Sequence, residues 1–330
     1  MTRIGVAISG GLTASEIVAC VQLAEQLGYE SAWVAEGHGG DQFAILSACA
    51  VATERILLGT SISSVFVRSV PTIAMAAATV DDLSHHRFIL GLGSSHKVQV
   101  EPEHGLPYNK PIQRVRESVA IIRALLRDGT VSYAGETITI ERFDLWFKPS
   151  RPEIPIYLSG LFPNMLQVCG ELAQGLLLTR STLDTGHHVA AHIAIGARRA
   201  GRRPEDIEIT SLLPCSVAPD RQAALDTMRP GVALYAGFFP RYNRLMAESG
   251  FAEAAATIRD AWSNGDYEAA TRAVPDAMID ATGVAGTPET VRERLDAYRQ
   301  SGIALPIISP FSRGPGGRDR VMAAIRACAP

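Results

Sequence analysis

Two histidines and one glutamate occupy positions where acid–base chemistry is possible. Glu36 and His38 follow one short apolar segment, and His96 follows another. Histidine titrates near neutral pH, so His38 and His96 are candidates for a proton donor. Glu36 is a third candidate, because a carboxylate at a strand end needs a donor or a ligand. For either histidine, an ordinary role in a loop or at a helix end is an equally good interpretation.

Other patterns point less clearly to chemistry. Arg180 and Arg313 end two apolar segments and would suit an anionic substrate or cofactor tail, but two arginines do not establish one. His188 and His192 have the i, i+4 spacing of a metal pair, yet no third ligand accompanies them, so a solvated helix face is the better interpretation. Five widely spaced cysteines form neither a disulfide framework nor a zinc motif: Cys20, Cys49, Cys169, Cys215 and Cys328.

Composition narrows the class of protein. The 330 residues are 47% hydrophobic and 20% charged, which is an ordinary globular balance. The formal net charge is −3, whereas a nucleic-acid-binding protein usually carries an excess of basic residues. No apolar run approaches the ~20 residues of a membrane helix, and the apolar stretch 4–8 is too short for a signal peptide. We therefore expect a cytoplasmic protein with reduced thiols, without a nucleic-acid or membrane partner.

Eight short apolar segments alternate with helical patterns. Their continuous apolar character is typical of strands that are covered on both faces. The count of eight, without a dinucleotide-binding fingerprint, favours a single (β/α)₈ TIM barrel over 1–330 rather than a doubly wound open sheet. Function is then expected at the carboxyl ends of the strands, where Glu36, His38 and His96 occur. The predicted strands are 3–9, 31–36, 56–62, 88–93, 154–158, 175–179, 207–213 and 305–308.

Two segments interrupt the alternation. Residues 130–150 predict a small β excursion, and 220–285 predict a mostly helical insertion after strand seven. Aromatic residues of the insertion, including Phe239 and Tyr242, could form a substrate wall or a dimer contact, although ordinary packing explains most of them. A loop containing Glu103 is a candidate lid.

Strands three and four carry motifs that resemble the bacterial-luciferase-like flavin superfamily. A second set of motifs is similar to its coenzyme F-420-dependent, methylene-tetrahydromethanopterin reductase-like branch. The resemblance spans nearly the whole chain and is weakest in 220–285. The first set is Leu58-Gly59-Thr60-Ser61-Ile62, Arg68, Pro71, Asp82-Leu83-Ser84 and Arg87 to Gly93; the second is Ser95-His96, His104 to Tyr108, Pro111, Arg114, Arg116-Glu117 and Gly170 to Gly175.

The resemblance implies a barrel with a tricyclic cofactor ring at the strand ends. It also implies a cis peptide bond between Ser61 and Ile62, at a bulge that backs the ring. Gly93 would let the backbone approach the ring, with Ser94 and Ser95 nearby. The loop Ser159-Gly160-Leu161, which leads into a helix, would bind the cofactor phosphate through backbone amides.

The chain departs from the branch at the proposed acid–base positions. Relatives often carry Asp-His after strand two, where this chain has Glu36 and Gly37, with His38 one place later. Glu36 could replace the aspartate beside the deazaflavin. After strand four, some relatives carry an acidic residue at the position that His96 occupies in this chain.

The leading hypothesis is a coenzyme F-420-dependent oxidoreductase that moves a hydride between the deazaflavin and a small organic substrate. One alternative is an FMN-dependent monooxygenase on the same barrel. The other is a non-catalytic flavin-binding accessory protein. The resemblance also implies a homodimer.

Overall fold

Eight parallel strands close into a barrel in the computed structural model, which describes residues 2–330. Each strand pairs with the next along the chain, and the last pairs with the first through Val6 and Ile308. This confirms the predicted TIM barrel. The strands are β1 Gly5–Ile8, β2 Ser31–Val34, β3 Leu57–Thr60, β4 Phe88–Gly93, β5 Ile156–Ser159, β6 Gly175–Thr179, β7 Glu208–Val217 and β8 Leu305–Pro310.

Helices cover the outside of the barrel and one end of it. The side chains of Trp33, Tyr157, Leu177 and Ile307 pack inside the barrel, so the strands are buried on both faces. The helices are α1 Ala14–Gln26, α2 Gln42–Ala52, α3 Val70–Leu83, α4 Lys97–His104, α5 Pro111–Asp128, α6 Pro163–Leu172, α7 Thr185–Arg199, α8 Arg221–Phe238, α9 Pro240–Met246, α10 Ala252–Ser263, α11 Tyr267–Arg272, α12 Asp276–Thr282, α13 Pro288–Gln300 and α14 Gly317–Ala327. A 3₁₀ turn lies at Pro204–Asp206, and a kinked turn at Ala247–Phe251 joins α9 to α10.

Local sequence signals fix several helix starts. Thr13 accepts a hydrogen bond from the backbone N–H of Glu16, whose carboxylate accepts one from the Thr13 N–H, so the capping box is formed. The Thr287 side chain caps α13 by accepting a hydrogen bond from the Thr290 N–H, with Pro288 in the first helical position.

The two irregular segments have distinct structures. Thr130–Ala134 and Thr139–Asp144 pair as an antiparallel hairpin outside the barrel. Helices α8 to α12 occupy most of the insertion, and α8 and α10 share a core of their own. The short strand Val284–Gly286 pairs with the end of β7. The assignment of the chain to one domain stays a prediction.

Two expectations need correction. β7 extends to Val217, beyond the predicted end at residue 213, because its last part pairs with both β8 and Val284–Gly286. Residues 97–104 form helix α4 rather than a loop. Pro102 lies inside this helix, and Gly105, with φ +66°, ends it. Proline and glycine usually interrupt helices, so the sequence of this short segment resembles that of a loop.

The remaining sequence patterns have simple structural outcomes. All five cysteine side chains are buried and unpaired. Within residues 2–330, no helix is both long and apolar enough to cross a membrane. The same residues contain no group of three potential metal ligands, and the rings of His188 and His192 lie 5.2 Å apart on α7.

Candidate active site

A cavity of about 1040 Å³ opens at the carboxyl ends of the strands. This volume is at the upper end of the range for ligand pockets. Helices α8 and α9 of the insertion form one side of it, through Tyr235, Phe239 and Tyr242. Every predicted site residue except Gly93 lines the cavity: Glu36, His38, Ser61, Ile62, Ser94, Ser95, His96, Ser159, Gly160 and Leu161.

The wall after β3 is built by an irregular piece of backbone. A cis peptide bond joins Ser61 and Ile62, as predicted, and the chain then pairs again with β4 through Ser63–Ser64. The hydroxyl of Ser61 is buried and has no hydrogen-bond partner. A buried polar atom without a partner is uncommon, so this hydroxyl is available to a ligand in the cavity.

Gly93 lies behind this wall. A Cβ atom there would come within 2.4 Å of Ser159 Oγ and 2.9 Å of Ile62 Cδ1. The missing side chain therefore allows Ile62 and Ser159 to close over β4.

Glu36 is held by an arginine. Its Oε1 accepts a hydrogen bond from Arg68 Nε at 2.6 Å, and its Oε2 accepts one from the Ser64 N–H at 3.4 Å. Arg68 also donates to Asp41 Oδ2 at 2.6 Å. Burial acts to lower the pKa of Arg68, but the bonds to Asp41 and Glu36 outweigh it and raise that pKa. Glu36 is thus fixed beside the wall, and it shares the charge of Arg68 with Asp41.

The two histidines lie in different environments. The His38 side chain is 67% exposed at the cavity rim, and its Nε2 lies 3.0 Å from Glu103 Oε2 of α4. The His96 ring packs between Phe239 and Tyr242, with centroids 4.7 and 5.3 Å away. Burial, and then the charge of Arg241, lower the pKa of His96 to about 4. His96 is therefore neutral at pH 7.

The loop after β5 borders the cavity with the amino end of α6. Phe162 occupies the cap position of α6 and provides no side-chain hydrogen bond, in contrast to Thr13 of α1. Pro163, at the first position of α6, has no N–H, and the Met165 N–H donates to the Phe162 carbonyl at 3.0 Å, which leaves the Asn164 N–H at this helix end for an anionic group. Residues 159–161 and this helix end can therefore hold a phosphate.

Arg241 of α9 is a site residue that the sequence did not reveal. Its guanidinium donates to Tyr108 Oη at 2.9 Å and to the Ser95 carbonyl at 3.4 Å, which ties the insertion to the loop after β4. The run of aromatic residues in the insertion was the available signal. That run does not specify which polar residue would face the cavity.

Comparisons with known proteins agree with this geometry. The family described as luciferase-like monooxygenase matches residues 1–305. A 5,10-methylenetetrahydromethanopterin reductase of Archaeoglobus fulgidus is 30% identical over 308 residues, which cover 91% of each chain.

Two solved structures share the fold. One is the coenzyme F-420-dependent tetrahydromethanopterin reductase of Methanopyrus kandleri, with a TM-score of 0.87, 24% identity and coverage of 99% of this chain and 97% of the other. The second is an F-420-dependent secondary alcohol dehydrogenase in complex with an F-420–acetone adduct, with a TM-score of 0.80, 22% identity and coverage of 99% of both chains. The match over most of the chain shows that this protein belongs to the luciferase-like monooxygenase family.

Proposed function

We propose that this protein is a coenzyme F-420-dependent oxidoreductase that transfers a hydride between the deazaflavin and a small organic substrate. The observation that carries the proposal is the cavity of about 1040 Å³ at the carboxyl ends of the strands, with the Ser61–Ile62 wall on one side and the loop 159–161 on another. The similarity to a methylenetetrahydromethanopterin reductase and the fold shared with two F-420-dependent enzymes support it.

The residues of the cavity fit such a cofactor. The unpartnered Ser61 hydroxyl can bond to a polar edge of the ring, and Ile62 offers it an apolar surface. The backbone at Ser159-Gly160-Leu161 and the amino end of α6 can hold the phosphate. When bound, the deazaflavin supplies or accepts the hydride. We assign Glu36 to the same side as a positioning residue, because Arg68 and the Ser64 N–H already hold both of its carboxylate oxygens.

We assign the proton-donor role to His38. Its imidazole lies at the cavity rim, where water can reprotonate it between turnovers, and Glu103 orients its Nε2. His96 is neutral and packed against two aromatic rings, so it suits hydrogen bonding to the substrate better than the delivery of a proton.

A parallel titration of the purified protein with F-420 and with FMN, followed by tryptophan fluorescence, tests the proposal. We expect micromolar or tighter binding of F-420 and much weaker binding of FMN. The reverse preference, with oxygen consumption in the presence of reduced FMN, would assign the chain to flavin monooxygenases. Binding of neither would contradict the proposed function. Once a substrate is known, His38→Ala should lower turnover by about a hundredfold while leaving F-420 affinity unchanged.

We also propose that the protein is a homodimer. The neighbouring helices α2 and α3 expose apolar side chains on their outer faces, namely Val51, Met75 and Leu83. An interface between two copies would cover these three exposed side chains. Sedimentation of the native protein should give twice the chain mass, and Val51→Glu should convert it to monomers. A monomeric native protein would contradict this assignment.

A further inference from the structure

A buried arginine without a counter-charge faces the cavity. Arg180 directly follows β6, and its backbone N–H donates to the Leu212 carbonyl of β7 at 3.2 Å. The residue is only 7% exposed and lines the cavity. Its φ of +54° is unusual for a residue with a side chain, so the backbone turns sharply where the strand ends.

The hydrogen-bonding groups of Arg180 are almost unused. A guanidinium has five N–H donors. Nη2 makes one long bond to the Gly231 carbonyl at 3.4 Å, whereas Nε and Nη1 are buried without partners. In the part of the chain that the structure describes, no carboxylate pairs with this guanidinium. Buried charges are normally paired and buried donors are normally satisfied, so Arg180 lacks a partner that a ligand can provide.

A stacked aromatic ring holds the plane of the Arg180 guanidinium. The guanidinium carbon lies 3.7 Å from the centroid of the Tyr235 ring, so the ring covers one flat face of the group. Donors of a guanidinium lie in its plane and point outward from its edge. The stacked tyrosine therefore fixes the orientation of Arg180. Burial lowers the pKa of Arg180, and the contact with Tyr235 offsets only part of this effect.

The charges around the cavity favour an anion on this side. The cavity carboxylates Glu36 and Glu103 bond to Arg68 and His38 rather than to Arg180 or Arg241. Arg241 bonds to neutral oxygens of Ser94, Ser95 and Tyr108. Arg180 and Arg241 therefore both lack a carboxylate partner, and both lie beside helices α8 and α9.

We propose that the substrate carries an oxyanion group, a carboxylate or a phosphate, and that Arg180 binds this group through its in-plane N–H donors. This inference rests on the proposed function, because it assigns Arg180 to the substrate and the Ser61–Ile62 wall to the cofactor. The cofactor phosphate is the other possible source of an oxyanion, but the loop 159–161 and the amino end of α6 already provide a site for it. The substrates so selected are organic acids or phosphate esters.

The first experiment measures the binding of inorganic phosphate and of acetate to the apoprotein by thermal shift. Anion binding to the folded state raises Tm, and at a given anion concentration the rise increases with the logarithm of the affinity. We expect Arg180→Met to weaken binding of the preferred anion at least tenfold, and Arg180→Lys to restore part of it. Arg313→Met is the matched control, because Arg313 lines the same cavity but is exposed. Failure of both anions to bind the wild type, or equal affinity in Arg180→Met, would overturn the proposal. Circular dichroism establishes that each variant is folded.

The second experiment distinguishes the two sources of the oxyanion. It compares the affinities of F-420 and of the phosphate-free ribityl deazaflavin for the wild type and Arg180→Met. We expect the same ratio of affinities in both proteins, as a substrate site requires. A selective loss of F-420 affinity in the variant would assign Arg180 to the cofactor phosphate and contradict the substrate assignment. Failure of the wild type to bind F-420, with phosphate or acetate still bound at Arg180, would contradict the proposed function and leave the anion site intact.

Discussion

Two buried arginines at opposite ends of the barrel show how this fold separates scaffold from site. Arg87 precedes β4 at the amino end and is 8% exposed, while Arg180 follows β6 at the carboxyl end and is 7% exposed. Arg87 donates from Nε and both Nη atoms to five oxygens. Arg180 makes a single long bond. With burial equal, the difference lies in hydrogen bonding: Arg87 joins three chain segments, and Arg180 remains available to a ligand.

The largest expected effect is the loss of Arg87. Arg87→Met would leave carbonyl oxygens of Ala50, Ile56 and Ser84 buried without this donor, so we expect the free energy of unfolding to fall by about 4 kcal/mol. Urea denaturation measures this loss of free energy, and we expect the slope of the free energy against urea concentration to be the same in the variant and the wild type. Arg180→Met should change that free energy by about 1 kcal/mol or less, because one long bond is lost. Equal losses in the two variants would invalidate the comparison.

Glu117 of α5 offers a second test at the scaffold. Burial acts to raise its pKa, but hydrogen bonds from Thr137, Gln113 and the backbone of the hairpin outweigh this and lower the pKa to about 2. A lowered pKa means that the stabilisation is complete above the unfolded pKa of 4.5 and is lost as the pH falls towards 2. The contribution is about 3 kcal/mol at pH 7.

Unfolding experiments between pH 7 and pH 2 measure this contribution. Glu117→Gln should be less stable than the wild type at pH 7, and the difference should shrink as the pH falls below 4.5. Glu136→Gln is the control, because Glu136 pairs with Lys110 at the exposed surface. A difference that stays constant with pH would show that the Glu117 carboxylate does not contribute in this way.

The substitution Gly93→Ala tests how tightly Ile62 and Ser159 pack against β4. In Gly93→Ala the new Cβ would displace Ser159 and Ile62, so we expect F-420 affinity to fall at least tenfold, or about 1.4 kcal/mol. Gly231→Ala is a matched control, because its Cβ would meet the Phe311 ring only at an ordinary 3.7 Å. Fluorescence titration gives both affinities. Unchanged affinity in Gly93→Ala would mean that Ile62 and Ser159 need not pack tightly against β4.

The smallest effect concerns the charge of His96. Its pKa of about 4 lies below the value of about 6.5 in unfolded chains, so the ring is neutral in the native state at pH 7. The neutral state stabilises the fold fully above pH 6.5, and this stabilisation is lost as the pH falls towards 4. In NMR spectra, we expect the His96 ring signals to stay constant from pH 8 to pH 6. A titration midpoint near 6.5 would indicate that the packing between Phe239 and Tyr242 is looser than described.

Local signals in the sequence account for most of the barrel. Short apolar runs and capping residues predicted eight strands and the start of α1, because such signals act over a few neighbouring residues. The structure differs from the prediction at α4 and at the end of β7. Pro102 obscured the first, and the second depends on pairing with a strand about seventy residues further along the chain.

The candidate site was predicted as a set of positions but not as a set of environments. The strand-end rule selected Glu36, His38 and His96. It did not show that Arg68 compensates Glu36, that His96 is desolvated, or that Arg241 reaches the cavity from the insertion. These properties arise from contacts between segments that are far apart in the chain.

The sequence by itself determined the order of the elements and the strand ends at which chemistry is expected, because apolar periodicity and capping are local properties. The tertiary structure alone decided which buried charges are satisfied. The sequence presents Arg87 and Arg180 as similar residues beside strands. Only the folded arrangement gives one of them five acceptors and the other an open cavity, because hydrogen bonding and desolvation depend on the atoms that folding brings around each group.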